Sequence, residues 1–186
     1  ATTLLWGLPG VASAGGDYAA DAWLCVSASG TGACGPGCTE MHPTFASALA
    51  GAAALPDVEG DRPSVLICLT EEAPHVESLS IDNEDGALGK PLSIDFMGHH
   101  LCPDPGSPET TPAITIRGRL SPAPDVADAL FRASVDVRND GPCDSGPRPG
   151  ILAQGEGPLF LGQGGGLRGT RGYAIRHEGI GNGVDG

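Results

Sequence analysis

The sequence has few aromatic residues, a single lysine and no apolar run long enough to span a bilayer. Aromatic residues make up 4% of its 186 residues, and Lys90 is accompanied by nine arginines. The lack of a long apolar run argues against a membrane-spanning segment. The formal net charge of -13 argues against nucleic-acid binding, because an acidic surface repels a phosphate backbone. It also disfavours acidic polysaccharides, unless a divalent cation bridges the two surfaces.

Glycine and proline are abundant, with 30 and 17 residues respectively. Their combined share is about twice the usual one, which excludes long helices as the main element. Hydrophobic residues still make up 40% of the chain, enough for a core, so we expect a folded, turn-rich protein. The length suits one domain.

Residues 1–14 are similar to the remnant of a secretory signal peptide. An apolar stretch from Leu4 to Val11 precedes the small residues Ala12, Ser13 and Ala14, as before a cleavage site. An apolar N-terminal strand is the alternative interpretation. We expect the protein to be secreted, and therefore extracellular or located in the cell envelope.

The even number of cysteines predicts disulfide bonds in an exported protein. Local spacing suggests a Cys34–Cys38 pair across an intervening Gly-Pro-Gly turn, and zinc binding by these two residues with His42 is the weaker alternative. The pairing of the others stays open, with Cys25–Cys68 as a guess from their similar place in two early strands. The six cysteines are Cys25, Cys34, Cys38, Cys68, Cys102 and Cys143.

Residues 15–62 are expected to form an N-terminal unit of one strand, a Cys-rich loop and a short helix. The strand is predicted over 22–28. Thr44 can serve as the helix N-cap, and Leu55-Pro56 ends the helical pattern. Between them, apolar residues recur at helical spacing: Phe45, Ala48, Leu49 and Ala52.

Residues 63–186 alternate brief apolar runs with turn residues, which is typical of short strands. Four similar runs begin at Leu92, Ile114, Val135 and Leu159, in steps of 22, 21 and 24 residues. A fixed period in this range predicts a solenoid. We therefore predict an all-β fold, a right-handed parallel β-helix with a short N-terminal capping helix, and we expect its coils to continue beyond residue 186. A β-sandwich is the alternative.

Three segments resemble the opening of bacterial extracellular pectin-lyase-like repeat proteins. They are Trp23–Gly30 (WLCVSASG), Phe45–Leu49 (FASAL) and Pro63–Ile67 (PSVLI). The resemblance covers roughly residues 22 to 120 and implies a right-handed parallel β-helix. That family includes polysaccharide lyases, glycoside hydrolases and surface proteins without known catalysis, so the fold alone does not transfer a function.

Two loops contain side chains that could ligate a metal ion. Asp95, His99 and His100 follow one predicted strand, and adjacent histidines on a surface loop without metal are the more ordinary interpretation. An acidic turn offers the hard oxygen ligands that calcium prefers, but it lacks the spacing of a dedicated calcium loop. Its residues are Asp82, Glu84 and Asp85. We predict no resident cofactor, with calcium as the one ion to consider.

The sequence contains no recognisable catalytic motif, and we assign no catalytic residue. The favoured hypothesis is a non-enzymatic exported repeat domain that contacts polysaccharide or a cell-surface component. The alternative is the N-terminal part of a carbohydrate-active enzyme, a polysaccharide lyase or glycoside hydrolase, with catalytic coils beyond residue 186. Carboxylates and arginine clustered on adjacent coils would favour the enzyme.

Overall fold

A computed structural model of the chain consists mostly of strands that pair in parallel sheets. It covers residues 20–34, 37–56, 64–83, 92–118, 131–132, 134–136, 148–154, 159–160, 166–168, 171–178 and 184–185. The elements are β1 (Ala22–Val26), β2 (Glu40–His42), α1 (Phe45–Ala54), β3 (Val65–Leu69), β4 (His75–Val76), β5 (Leu79–Asn83), β6 (Leu92–Asp95), β7 (Leu101–Cys102), β8 (Ile114–Gly118), β9 (Phe131–Arg132), β10 (Ser134–Asp136), β11 (Ile151–Gln154), β12 (Leu159–Phe160), β13 (Gly166–Arg168), β14 (Ile175–Glu178) and β15 (Val184–Asp185).

The described strands form four sheets, and the pairs in them are parallel. The first sheet has the order β2-β1-β3-β6-β9, the second β13-β10-β7-β4, the third β14-β11-β8-β5 and the fourth β12-β15. From β3 onward the chain visits the first three sheets in one order, as β3, β4, β5, then β6, β7, β8, then β9, β10, β11. We call each such visit a pass. The described elements are strands apart from one helix, which confirms the all-β class, and their parallel pairing counts against a β-sandwich, whose sheets are antiparallel.

Apolar side chains in equivalent positions of successive passes build the core. In the third sheet, Leu79, Ile114 and Ile151 are neighbours in register and are buried. Residues between the buried ones point to the other face, because successive side chains of a strand alternate. The predicted alternation of apolar and polar residues is therefore confirmed for these strands.

The predicted period of 21 to 24 residues is wrong as a description of strand pairing. The runs at Leu92, Ile114 and Val135 lie in three different sheets. In the third sheet, Leu79 pairs with Ile114, 35 residues later, and Ile114 pairs with Ile151, a further 37 residues along the chain. Only the last step in this sheet, from Ile151 to Ile175, is 24 residues. Loops of unequal length separate the strands, so the apolar runs that are equally spaced in the sequence belong to strands that do not pair with one another.

Helix α1 is confirmed with its predicted start. The side chain of Thr44 accepts a hydrogen bond from the Ser47 amide at 3.1 Å, and Ser47 reciprocates in a capping box. The four residues predicted at helical spacing are the ones that the helix buries. The helix packs on β1, β2, β3 and β5, at the start of the sheets.

The predicted Cys34–Cys38 pair is wrong, and so is the Cys25–Cys68 guess. The disulfides are Cys25–Cys38 and Cys34–Cys68. Cys25 and Cys68 are neighbours in register on β1 and β3, and the loop after β1 brings one cysteine to each of them. The four cysteines thus close a small cluster with Leu66, which local spacing alone could not reveal.

The disulfides are compatible with an extracellular protein. Cys102 is disulfide-bonded as well. Cys143 lies outside the described residues, as do residues 1–14 of the predicted signal peptide. In the described part of the chain, helix α1 has ten residues, and no helix reaches the length and apolar character that a bilayer crossing requires.

Candidate functional site

The densest group of interacting ionisable side chains among the described residues surrounds His75. This residue begins β4 and has only 4% of its surface exposed. In the second sheet it stands in register with Leu101, which in turn pairs with Val135, and Val135 pairs with Leu167. A histidine therefore takes a position that is apolar in every later strand of the sheet.

Both ring nitrogens of His75 face carboxylates. Nδ1 lies 3.0 Å from Oε2 of Glu71, and Nε2 lies 3.0 Å from Oε2 of Glu77. Glu71 precedes β4, and Glu77 follows it. The side chains of Glu71 and Glu77 are 13% and 15% exposed. The three ionisable side chains therefore form a row that is largely shielded from solvent.

Each carboxylate also accepts hydrogen bonds from the backbone. Glu77 accepts from the amide of Phe45 at 2.7 Å and from that of Ala46 at 2.9 Å, and these are the first amides of helix α1. A negative charge is favourable there, because a helix N-terminus has unpaired N–H groups and the positive end of the helix dipole. Glu71 accepts from the amide of Ala28 at 3.2 Å. The chain of contacts thus joins helix α1 to the turn after β1.

The carboxylates shift the protonation equilibria of the cluster. Burial lowers the pKa of His75, but hydrogen bonds to Glu77 and Glu71 and their negative charges outweigh it, so the pKa lies above its ordinary 6.5. For Glu77, burial raises the pKa, but hydrogen bonds from His75, Phe45 and Ala46 and the charge of His75 lower it below 4.5. Both shifts favour an imidazolium between two carboxylates.

This arrangement suits structural stabilisation better than catalysis. A general acid or base needs a nitrogen or oxygen that can reach substrate, whereas both nitrogens of His75 face protein carboxylates. The ring also packs edge-on against Phe45, with centroids 5.7 Å apart. Phe45 packs in turn on Phe96, with centroids 5.2 Å apart. The cluster therefore couples the helix to the core below it.

Asp95, His99 and His100, the first candidate set of metal ligands, do not form a group that could hold a metal ion. Among the described residues, no three His, Cys, Asp or Glu side chains form a group that could hold a metal ion. Asp95 is buried, and its Oδ1 accepts a hydrogen bond from the Met97 amide, whereas His99 and His100 are partly exposed. Asp82 lies on β5, and Glu84 and Asp85 fall outside the described residues.

A second polar centre surrounds the guanidinium of Arg148, which is buried. Its Nη1 donates to Oγ of Ser107 at 2.7 Å and to the carbonyl of Asp104 at 3.3 Å. Ser107 also hydrogen-bonds Ser78 at 3.1 Å, and the carbonyl of Arg148 accepts from the amide of Arg171. These contacts connect loops from successive passes and direct Nη1 toward the chain itself, which favours a structural role.

The outer face of the third sheet is polar. Asp82, Arg117, Gln154 and Glu178 are successive neighbours in register on its four strands. Gln154 donates to Glu178 at 3.0 Å, and Arg176 forms an ion pair with Glu178 at 2.7 Å. Beside this row lies a second one, formed by Ser80, Thr115, Leu152 and Arg176.

Sequence reasoning missed the cluster around His75. The signal was present as Glu71-Glu72-Ala73-Pro74-His75-Val76-Glu77, in which two acids flank a histidine. The two-residue strand β4 was too short to predict from alternation, so nothing indicated that His75 points inward.

Comparison with known proteins finds no matching family model, no matching curated protein and no matching solved structure.

Proposed function

We propose that the chain is an exported right-handed parallel β-helix domain without a catalytic role, and that it contacts a neutral polysaccharide of a cell surface. The observation that carries the proposal is the outer face of the third sheet. On this face, hydrogen-bonding side chains repeat from strand to strand in register.

The order of the strands supports the β-helix. Three successive passes place one strand in each of three sheets, always in the same sequence, and the strands pair in parallel. A coil that advances by one strand spacing per turn produces this pattern, because each strand then pairs with its equivalent in the next turn. Helix α1 packs at the start of the sheets, where such a fold needs to cover open strand edges.

The charge of the third sheet supports a neutral ligand. Its outer face carries two acids, Asp82 and Glu178, and two bases, Arg117 and Arg176, so these charges balance although the chain as a whole has -13. Neighbouring strands lie about 4.8 Å apart, which presents donors and acceptors at regular intervals. Sugar hydroxyls can both donate and accept, and they match such a surface without requiring charge.

The distribution of acids and arginines favours the non-catalytic role over a lyase or hydrolase. Aspartates are register neighbours of arginines in three different sheets: Asp82 with Arg117, Asp95 with Arg132, and Asp136 with Arg168. Glycoside hydrolases need two carboxylates about 5 to 9.5 Å apart across one bond of the substrate. The register pairs of aspartate and arginine are therefore distributed over three sheets instead of being concentrated in one.

Affinity electrophoresis tests the binding surface. The purified chain is run through gels with a neutral β-glucan, with polygalacturonate, or with neither. We expect retardation by the neutral glycan, and about a tenfold weaker effect for the double variant Arg117→Ala, Gln154→Ala, which removes two donors. Ser93→Ala on β6 of the first sheet serves as the matched control. No retardation of the unaltered chain by the neutral glycan would contradict the proposal.

Incubation with the same glycans, with and without calcium, tests for catalysis. Unsaturated or reducing ends should not accumulate above a no-protein control. Their release by the chain would instead support the carbohydrate-active enzyme.

A further inference from the structure

We propose that Glu71, His75 and Glu77 form a pH-dependent switch. When His75 loses its proton, Glu71 moves away and its hydrogen bond with the Ala28 amide is lost, while Glu77 keeps its hydrogen bonds with the first amides of helix α1. The proposal rests on the unequal number of backbone hydrogen bonds that the two glutamates accept, two at Glu77 and one at Glu71. It does not depend on the function proposed above.

The protonated ring can satisfy both carboxylates at once. An imidazolium has two N–H donors, and each nitrogen of His75 lies 3.0 Å from a carboxylate oxygen. The neutral ring has one N–H and one lone pair. After proton loss, one of the two carboxylates therefore faces a lone pair at hydrogen-bond distance, which is repulsive, and that carboxylate has to move.

The two glutamates differ in what else holds them. Glu77 accepts two short backbone hydrogen bonds, from Phe45 and Ala46, and its charge lies at the N-terminus of a ten-residue helix. Glu71 accepts one longer backbone bond, from Ala28. The neutral ring should therefore keep its proton on Nε2, donate to Glu77, and turn its lone pair toward Glu71.

Among the described residues, these two glutamates are the charged groups that contact the ring. Helix α1 presents the uncharged ring of Phe45, and β7 places Leu101 beside His75 in register. The turn released with Glu71 leads directly into the disulfide loop: Ser27 accepts hydrogen bonds from Gly30 and Thr31, and the carbonyl of Thr31 accepts from Thr70. A rise in pH should therefore break the hydrogen bond between Glu71 and Ala28 that holds the start of that loop.

The test is an NMR titration of the intact chain from about pH 5 to about pH 9, with disulfides formed. The ring ¹⁵N shifts of His75 should convert from the imidazolium to the Nε2–H tautomer. The Ala28 amide should shift with the same midpoint, and its exchange protection should fall by about tenfold, as expected for loss of a hydrogen bond to a charged group. The Phe45 and Ala46 amides should keep their protection.

Two variants make the result decisive. Glu71→Gln should abolish the response of the Ala28 amide and move the His75 midpoint to lower pH, because one negative neighbour is lost. His99→Gln, which removes a partly exposed histidine outside the cluster, should leave both unchanged. The proposal is overturned if the Nδ1–H tautomer forms, if the helix amides lose protection before Ala28 does, or if Ala28 does not respond to His75.

Discussion

The first part of the chain, residues 20–83, is stabilised differently from the later passes between residues 92 and 178. The first part uses a capping helix, two disulfides and a buried charge cluster. In the described residues of the later passes, apolar side chains in register, such as Ile114 on Ile151, are the main contacts, and the disulfide-bonded Cys102 and the buried Arg148 are the exceptions. The position of His75 makes the contrast plain, because its neighbour one pass later is Leu101.

The difference teaches that the end of a set of parallel strands has to be specified by particular contacts. A strand in the middle has the same kind of neighbour on both sides, and apolar stacking is sufficient. A strand at the start has no neighbour on one side, so its edge and the helix that covers it need directed interactions. Five variants, each with its control or comparison, test this contrast, from the largest expected effect to the smallest.

Phe45→Ala should destabilise the chain most, by about 3 to 5 kcal/mol, because it removes the fully buried ring between helix α1, His75 and Phe96. Urea unfolding of the oxidised chain measures the loss. Phe45→Leu keeps most of the buried volume and should lose clearly less. Equal losses would mean that the ring does not anchor the helix.

Removing one disulfide by Cys34→Ala together with Cys68→Ala should cost roughly 3 to 4 kcal/mol, since this bond closes a loop of 34 residues. The matched variant, Cys25→Ala with Cys38→Ala, opens a separation of 13 residues and should cost slightly less. The same urea titration compares them. Peptide mapping without reduction should recover these pairs; six free thiols in exported material would contradict both the pairs and export.

His75→Leu gives the first pass an apolar residue at the position where the later strands of the second sheet have Leu101, Val135 and Leu167. We expect a loss of about 1 to 3 kcal/mol near pH 6, because two shielded carboxylates lose their cationic partner. The folded state raises the pKa of His75, so its contribution is complete below 6.5 and disappears as pH rises through the folded pKa.

The difference between His75→Leu and the unaltered chain should therefore shrink in alkaline solution. Unfolding free energies measured across this pH range provide the check. A leucine variant as stable as the original near pH 6 would show that the first pass does not need its charge cluster.

Thr44→Ala should destabilise helix α1 by about 1 kcal/mol, because the Ser47 amide loses its capping acceptor. Thr44→Ser retains the hydroxyl and is the control. Thermal unfolding followed by circular dichroism is sensitive enough for a difference of this size. If serine lowers stability as much as alanine, the hydroxyl is not the source of the effect.

Arg176→Ala, on β14 in the later part, should change the unfolding free energy by less than about 0.5 kcal/mol. Its ion pair with Glu178 is exposed and screened by solvent. Added salt should make the variant and the original indistinguishable. A loss comparable to that of His75→Leu would remove the distinction between the two regions.

Much of the local structure could be predicted from the sequence. The Thr44 cap and the spacing of Phe45, Ala48 and Leu49 predicted helix α1, because capping and amphipathic spacing are properties of a single segment. Runs such as Val65–Leu69 predicted strands for the same reason. The short strand at His75 and the cluster it supports could not be predicted, because they depend on residues that meet only after folding.

Composition and local pattern determined that this chain is strand-rich, turn-dense and bonded by disulfides, since these follow from residue types and near neighbours. Only the tertiary structure decided which strands pair, because loops of unequal length separate register neighbours such as Leu79 and Ile114. It also decided that Cys34 bonds Cys68 and that His75 lies between two glutamates. These contacts depend on the distances between segments in space, which spacing along the chain does not fix.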